Sequence, residues 1–308
     1  MRRKFCFVVV LSLVSLLGAV LIFPQVLGIK NTPLAQGKNL GPNVYGSPVT
    51  YYGGPVMPGV VNVYPIYWFP NDNGANDQYI SHINQYYQDV GNNRLYQLVA
   101  NEYAGDNGSI HSAVLAHYWE DTTTPYPCQN CPLSKPDIVK EVKLAIATNG
   151  WPTSGYNNYF PVYTLLGEQV ANPINDGTCG YHSFWGPLDT PTIYAHIVFP
   201  SSGSSQSNCP IHVPTAPSGN IYIDSSIDVS AHEQMEAVTD PVVTRSIGWY
   251  GSGEIGDICS NDFGGSYPFP YDNGLANQKW LNQSGQYDYY IIQAIASKTP
   301  AGCLLGPS

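Results

Sequence analysis

Charge is what this chain has least of. Only 11% of its 308 residues are Asp, Glu, Lys or Arg, where an ordinary soluble domain carries about 25%. With 43% hydrophobic and 13% aromatic residues, disorder is excluded, because there is ample apolar surface to bury. Basic residues are the scarcer half, 12 against 22 acids, for a formal balance of −10. No basic cluster exists to release counterions from phosphates, so nucleic acid is excluded as a partner and anionic lipid is a poor one. The nucleophile elbow G-x-S-x-G and the phosphate loop G-x-x-x-x-G-K-[ST] are also absent.

Long apolar runs are confined to the start, where Arg2, Arg3 and Lys4 precede Phe5 to Phe23. This is the layout of a secretory signal, and the run is also close to the ~20 residues that span a bilayer. Residues 1–28 therefore read as a cleaved signal peptide or an N-terminal anchor, residues 29–54 as a Pro/Gly-rich linker, and 55–308 as one exported domain. A membrane would be met only through the first segment. Without the three leader residues, nine basic residues face 22 acids, a net of −13. Such a surface welcomes a cation.

Seven cysteines are present, and Cys6 falls in the leader. The other six fit up to three disulfides in an oxidising compartment, with connectivity open. Cys128 and Cys131 form a CxxC in a Pro-rich loop, and no second CxxC accompanies it to build a zinc knuckle. A loop staple is the better reading. The 24 Tyr against 9 Phe suggest a surface kept wet by hydroxyls rather than charge.

The pattern interleaves strands and helices. Val60 to Phe69, Ser112 to Trp119, Pro161 to Leu166 and Thr192 to Phe199 read as strands. Asp77 to about Tyr103, broken near Gly91, and Asp137 to Ala147 read as helices, the latter opened by the Ser134/Asp137 capping pair. An α/β or mixed α+β single domain with a mixed sheet follows, and 26 Pro with 30 Gly leave no room for an all-α fold. The segment from Ser260 to Tyr290 reads as a loop-rich cap.

The stretch from Asn220 to Cys259 carries the chemistry. Ile221-Tyr222-Ile223 reads as a short strand, and Ser225 with Asp228 as the start of a helix from about Ser226 to Thr239, stopped by Pro241. Ile227, Ala231, Met235 and Val238 form its buried stripe, while Asp228, His232, Glu236 and Asp240 recur every four residues beside it. Like charges at that spacing disfavour a helix by a few tenths of a kcal/mol each, and no Lys or Arg lies among them. A bound cation removes the conflict.

His232-Glu233-Gln234-Met235-Glu236 is an H-E-x-x-E sequence, the H-E-x-x-H zinc helix with its second ligand changed to carboxylate. Imidazole and carboxylate at i and i+4 grip one Zn²⁺, and Glu233 at i+1 is placed as general base. A catalytic zinc needs a third protein ligand. Glu254 and Asp257, in the Gly-flanked G-E-I-G-D loop, are the candidates, Glu254 as ligand and Asp257 orienting His232, or with these roles exchanged. His182 and His196 are alternative nitrogen donors. Set against this, Asp228 suits a helix N-terminus through the dipole, and an isolated H-E-x-x-E arises by chance. A carboxylate-rich site also suits Ca²⁺, with His232 a bystander.

The strand VVNVYPIYWF, the segment Cys179-Gly180-Tyr181-His182, the AHEQMEAVTDP helix followed by GW and GEIGDIC, and the closing Gly302-Cys303-Leu304-Leu305-Gly306-Pro307 together resemble the EXORDIUM, or phosphate-induced protein, family. The resemblance spans about residues 51–308 and is most specific from VTDP to GEIGDIC. It implies an extracellular protein, in plants linked to the cell wall and growth responses, with no established catalytic activity. Plant members lack the H-E-x-x-E residues that microbial relatives carry. The resemblance thus implies a metal site retained in this branch, and a pairing of Cys259 with Cys303. The expectation is a zincin-like metal helix in an exported domain: a zinc-dependent hydrolase acting on peptide, or a non-catalytic protein binding a wall or matrix polymer.

Overall fold

The computed structural model describes residues 49–127, 132–165, 169–170, 179–200, 209, 211–243, 245 and 247–307. The expected leader, most of the expected linker and the Cys128/Cys131 pair lie outside them. The end of that linker is already part of the fold, since Thr50–Tyr51 pairs antiparallel with Trp249–Tyr250. No helix among the described residues is long and apolar enough to cross a membrane.

The apolar run after Pro58 forms two strands in line, β1 (Gly59–Val63) and β2 (Ile66–Trp68). They are separated at Tyr64-Pro65, where proline has no N–H to give to a ladder. Helix α1 (Asp77–Asp89) and helix α2 (Arg94–Glu102) follow, joined by a single 3₁₀ turn at Val90–Asn92. Gly91 is required in that turn: a Cβ there would sit 1.8 Å from the Ala113 carbonyl oxygen.

Next come β3 (Gly108–Leu115), β4 (Trp119–Asp121) and α3 (Lys135–Asn149), which begins with the Ser134/Asp137 capping box. Strands β5 (Asn158–Thr164), β6 (Gly180–Trp185) and β7 (Thr192–Val198) complete the main sheet. The segment Cys179-Gly180-Tyr181-His182 thus leads into a strand. Its order runs β6–β7–β5–β1–β3, with the two-residue strand Ala104–Gly105 beyond β3. β7, β5, β1 and β3 are parallel and β6 is antiparallel. Every residue of β5 and β7 is buried, as expected of parallel strands covered on both faces.

Helices α1 and α2 cover one face with α4 (Ile221–Thr239), and α3 covers the other. The fold is a mixed α/β sandwich with two cores. Tyrosine serves the core as well as the surface: Tyr67, Tyr86, Tyr87, Tyr96, Tyr159 and Tyr163 are wholly buried, while Tyr52, Tyr118, Tyr267 and Tyr287 are exposed. The hydroxyls of Tyr163, Tyr87 and Tyr86 find internal partners, Tyr163 on Tyr87 and on Ser230 of α4, and Tyr86 on Gln234 of α4, while those of Tyr96 and Tyr159 are buried without one. Burying a phenol without a partner costs about 1–3 kcal/mol, so these bonds also fix the rotation of α4.

The expected strand at Ile221–Ile223 is instead the first turn of α4. The cap is Asn220, whose side chain accepts from the Tyr222 N–H at 3.0 Å, and the Ser225/Asp228 pair lies inside the helix. β-branched residues favour strands weakly, and burial of Ile223 against the core overrides that preference. The 260–290 segment holds a hairpin, β8 (Gln278–Leu281) with β9 (Tyr287–Tyr290). It is anchored by buried Trp280 against Tyr86 and Tyr290. The chain closes with hairpin β10 (Ile295–Lys298) and β11 (Ala301–Leu304).

Candidate metal centre

Helix α4 is buried almost all round, so its acids enter the interior. The strip Asp228, His232, Glu236, Asp240 turns toward the C-terminal third of the chain, and each member is met there. Asp228 accepts from the Gln293 N–H at 2.7 Å and pairs with His212 at 2.8 Å. Asp240 accepts from the Gly248 N–H at 2.9 Å, which ties the returning chain to the helix end. Glu236 Oε1 accepts from the Asp257 N–H at 2.9 Å.

Asp257 opens a 3₁₀ turn, Asp257–Cys259, whose last residue is disulfide-bonded to Cys303 of β11. The Ala296 N–H of β10 donates to Ile255 O at 2.8 Å. The loop carrying Asp257 is therefore fixed by a covalent bond and a ladder-like bond. Gly256 lets it approach: a Cβ there would lie 2.8 Å from Glu236 Oε1 and 2.9 Å from His232 Nδ1.

His232 Nε2 lies 3.0 Å from Glu236 Oε1 and 3.5 Å from Asp257 Oδ1. A tetrahedron with zinc bonds of about 2.0–2.1 Å has edges near 3.3 Å; the two distances from His232 Nε2 bracket that value, and one ligand atom of each of the three residues lies within 4.8 Å of the others. Glu254 does not join them. Its Oε1 lies 3.4 Å from His182 Nε2 on β6, while His182 Nδ1 is 3.5 Å from Glu233 and 3.8 Å from Glu236. Of the two loop acids it is Asp257 that meets His232, and Glu254 that meets the second histidine.

His182 faces α4 because side chains alternate along a strand. His196, opposite Tyr181 on β7, points to the α3 side, where its Nε2 meets Thr164 Oγ1 at 3.0 Å. Burial pulls it down to about 3. A third group, Cys179, Cys209 and His212, has its thiols tied in a disulfide and offers no thiolate.

The cluster is acidic and dry except at one side. His182, Glu233 and Glu236 side chains are 2%, 7% and 4% exposed, and Asp257 is 57% exposed. Burial pulls the His182 imidazolium down, but Glu254, Glu233 and Glu236 outweigh it and push it up to about 10. His232 is raised in the same way, chiefly by Glu236. Burial pushes Glu254 up to about 8 and raises Glu236 and Asp240. The His232 hydrogen bond holds Asp257 below the usual carboxylate range. Without an ion, the cluster holds extra protons instead.

Gln293 was not foreseen from sequence, and nothing at a separation of 61 residues marks it. Its Nε2 lies 2.9 Å from Gly256 O and 3.0 Å from His232 Nδ1. The Gly256 carbonyl marks that end of the Gln293 amide as NH₂, so Gln293 ties the Gly256 loop to the imidazole edge of His232.

Comparison with protein families, with curated proteins and with solved structures finds no match to the chain.

Proposed function

We propose that this protein is an extracellular zinc-dependent hydrolase, most simply a peptidase. The observation that carries this is the convergence of His232 Nε2, Glu236 Oε1 and Asp257 Oδ1 at ligand spacing, with Glu233 next along the same helix. When bound there, zinc supplies a Lewis acid that polarises a carbonyl and acidifies a water. Glu233 takes a proton from the attacking water and passes it to the departing amine as the C–N bond breaks. Two carboxylate ligands make the ion less electrophilic than three imidazoles would, so a modest rate is expected.

The surroundings favour an extended substrate. Among the described residues β6 pairs only with β7, and we infer that its other side receives a peptide running beside the site as an added strand. Just past His182 on that strand lies a cavity of ≈ 390 Å³ lined by Ser183, Phe184, Trp185, Leu188, Lys135 and Arg245, among others. The disulfides Cys179–Cys209 and Cys259–Cys303 fit folding in an oxidising compartment, and the resemblance to EXORDIUM proteins implies the same location.

A second reading, a non-catalytic binder of a wall or matrix polymer, is favoured by the exposed Tyr267 and Tyr287, 63% and 52% accessible. Metal analysis separates the two. Protein purified without chelators should carry near-stoichiometric zinc and hydrolyse a general substrate such as denatured casein. Absence of both would overturn the enzyme reading.

A further inference from the structure

Basic residues are scarce in this chain, nine outside the leader against 22 acids, yet three of them gather at one end of β6. Lys135 and Arg245 stand on the lining of the ≈ 390 Å³ cavity beside Ser183, Phe184 and Trp185. Lys143 lies over the Trp185 ring at 5.7 Å, and Lys135 over the Tyr181 ring at 5.1 Å. Among the described residues no carboxylate lines the cavity, and none of the three cations forms an ion pair. Asp137, two residues along α3 from Lys135, is taken by the Ser134 N–H and hydroxyl.

The same strand meets the opposite charge earlier along its length. His182 lies among Glu233, Glu236 and Glu254, and with Asp240 and Asp257 the α4 cluster gathers five carboxylates around its two imidazoles. Phe184 and Trp185 follow His182 by two and three residues, about 7–10 Å at ~3.3 Å per residue. Phe184 packs on the core of the α4 face and Trp185 on that of the α3 face, so the lining reaches both faces around the open edge of the sheet. Lys135 comes from the start of α3 and Arg245 from the chain leaving α4. Two separate elements thus bring positive charge to one strand end.

We propose that this cavity is a specificity subsite for the side-chain carboxylate of an Asp or Glu in the substrate, about two or three residues from the bond cleaved at the metal centre. The proposal rests on the reading of the protein as a peptidase that holds its substrate along β6. A peptide added to a strand keeps the rise of ~3.3 Å per residue, which sets that distance. The volume is at the low end of the roughly 300–1,000 Å³ of ligand sites, room for one side chain. Its methylenes pack on Phe184 and Trp185, and its carboxylate meets the Lys135 ammonium and the Arg245 guanidinium in charge-assisted bonds. A Lys or Arg at that position meets two like charges. The overall acidity of the chain repels a polyanion, whereas a peptide with a single acid matches the local charge alone.

The test uses the full chain with Zn²⁺ present, as the Glu233→Gln variant so that bound peptide stays whole. Short peptides blocked at both ends, identical but for one central Glu, Gln or Lys, are titrated calorimetrically at low salt, where screening is weak. The Glu peptide should bind about tenfold more tightly than the Gln peptide, and the Lys peptide most weakly. Adding Lys135→Glu and Arg245→Glu together should invert that order, which misfolding does not do. Equal affinity for all three peptides, absence of binding included, or a Glu preference kept after charge reversal, would overturn the subsite. Cleavage by the unaltered protein is read separately. A Glu peptide that binds preferentially but stays uncut overturns the hydrolase and keeps the subsite, whereas equal cutting of all three overturns the subsite and keeps the hydrolase.

Discussion

Glu141 on α3 and Glu236 on α4 are buried to nearly the same degree, 2% and 3% exposed, on opposite faces of one sheet. Their neighbours make them different chemistry. Glu141 faces Asp121 of β4, and burial together with that charge pushes it up to about 8. Burial would raise Asp121 too, but bonds from Thr124 and Thr123 outweigh it and hold it below the usual range. On the α3 face, then, a proton on Glu141 resolves two buried acids. Among the described residues no histidine pairs with them. On the α4 face two imidazoles enter among five carboxylates, and the cluster gains nitrogen donors as well as charge. Burying acids is not what distinguishes a metal site; adding lone pairs at ligand spacing is.

The comparison breaks most visibly in catalysis. Glu233→Gln should lower casein hydrolysis by about 100-fold or more, the usual contribution of a general base, with zinc content unchanged. Glu141→Gln should leave the rate alone. If Glu233→Gln hydrolyses casein as fast as the unaltered protein, the α4 cluster is structural and the two faces differ only in composition. Next in size is Gly256→Ala. Its Cβ meets Glu236 Oε1 and His232 Nδ1 inside 3 Å, so zinc affinity in competition with a chelating dye should fall about tenfold or more, ~1.4 kcal/mol. An unchanged affinity would mean that the loop does not close on the ion.

Much of this was legible in the sequence, and what was not has physical reasons. The 3.6-residue period exposed the strip Asp228, His232, Glu236, Asp240, because helix geometry alone sets that spacing. Gly-rich G-E-I-G-D stood out as a loop with acids, but which acid reaches His232 depends on how the Cys259–Cys303 bond and the Ala296 to Ile255 bond hold the loop. That is tertiary information. His182 was visible only as one of two spare histidines; strand parity on β6 and β7 separates it from His196, and β6 itself was hidden by its glycines. The start of α4 lies earlier than the Ser225/Asp228 signal marks, because Asn220 caps the helix and burial of Ile223 carries the first turn. A Tyr count does not divide surface from core: Tyr267 and Tyr287 are exposed, whereas Ser230 and Gln234 give the hydroxyls of Tyr163 and Tyr86 partners inside.

Acid and base sharpen the comparison further. His182 sits at about 10 and Glu254 at about 8 in the metal-free fold, both above their ordinary values, so each contributes stability when protonated. That contribution is complete below the unfolded values, ~4.3 for Glu and ~6.5 for His, and is lost as pH rises through the folded ones. The melting temperature of metal-free protein should therefore fall steadily from pH 5 to pH 9. Saturating zinc on His232, Glu236 and Asp257, whose positive charge beside His182 and Glu254 favours their deprotonated forms, should flatten the fall. Equal slopes with and without zinc would show that no ion competes with the protons of this cluster.

The smallest effect belongs to the other face. Glu141, at about 8, loses its share of stability over the same rise, between about pH 4 and pH 8. Gln carries its donor at every pH, so Glu141→Gln should lose less stability than the unaltered protein between pH 5 and pH 8. Below pH 4 the two should melt nearly alike. The two acid groups lie on opposite faces of the sheet and share no partner, so the difference should be the same with and without zinc, within the few tenths of a kcal/mol to which independent sites add. If zinc changes it, the sheet transmits strain between its faces, and the α3 pair is part of the metal centre's support rather than a separate solution to the same problem.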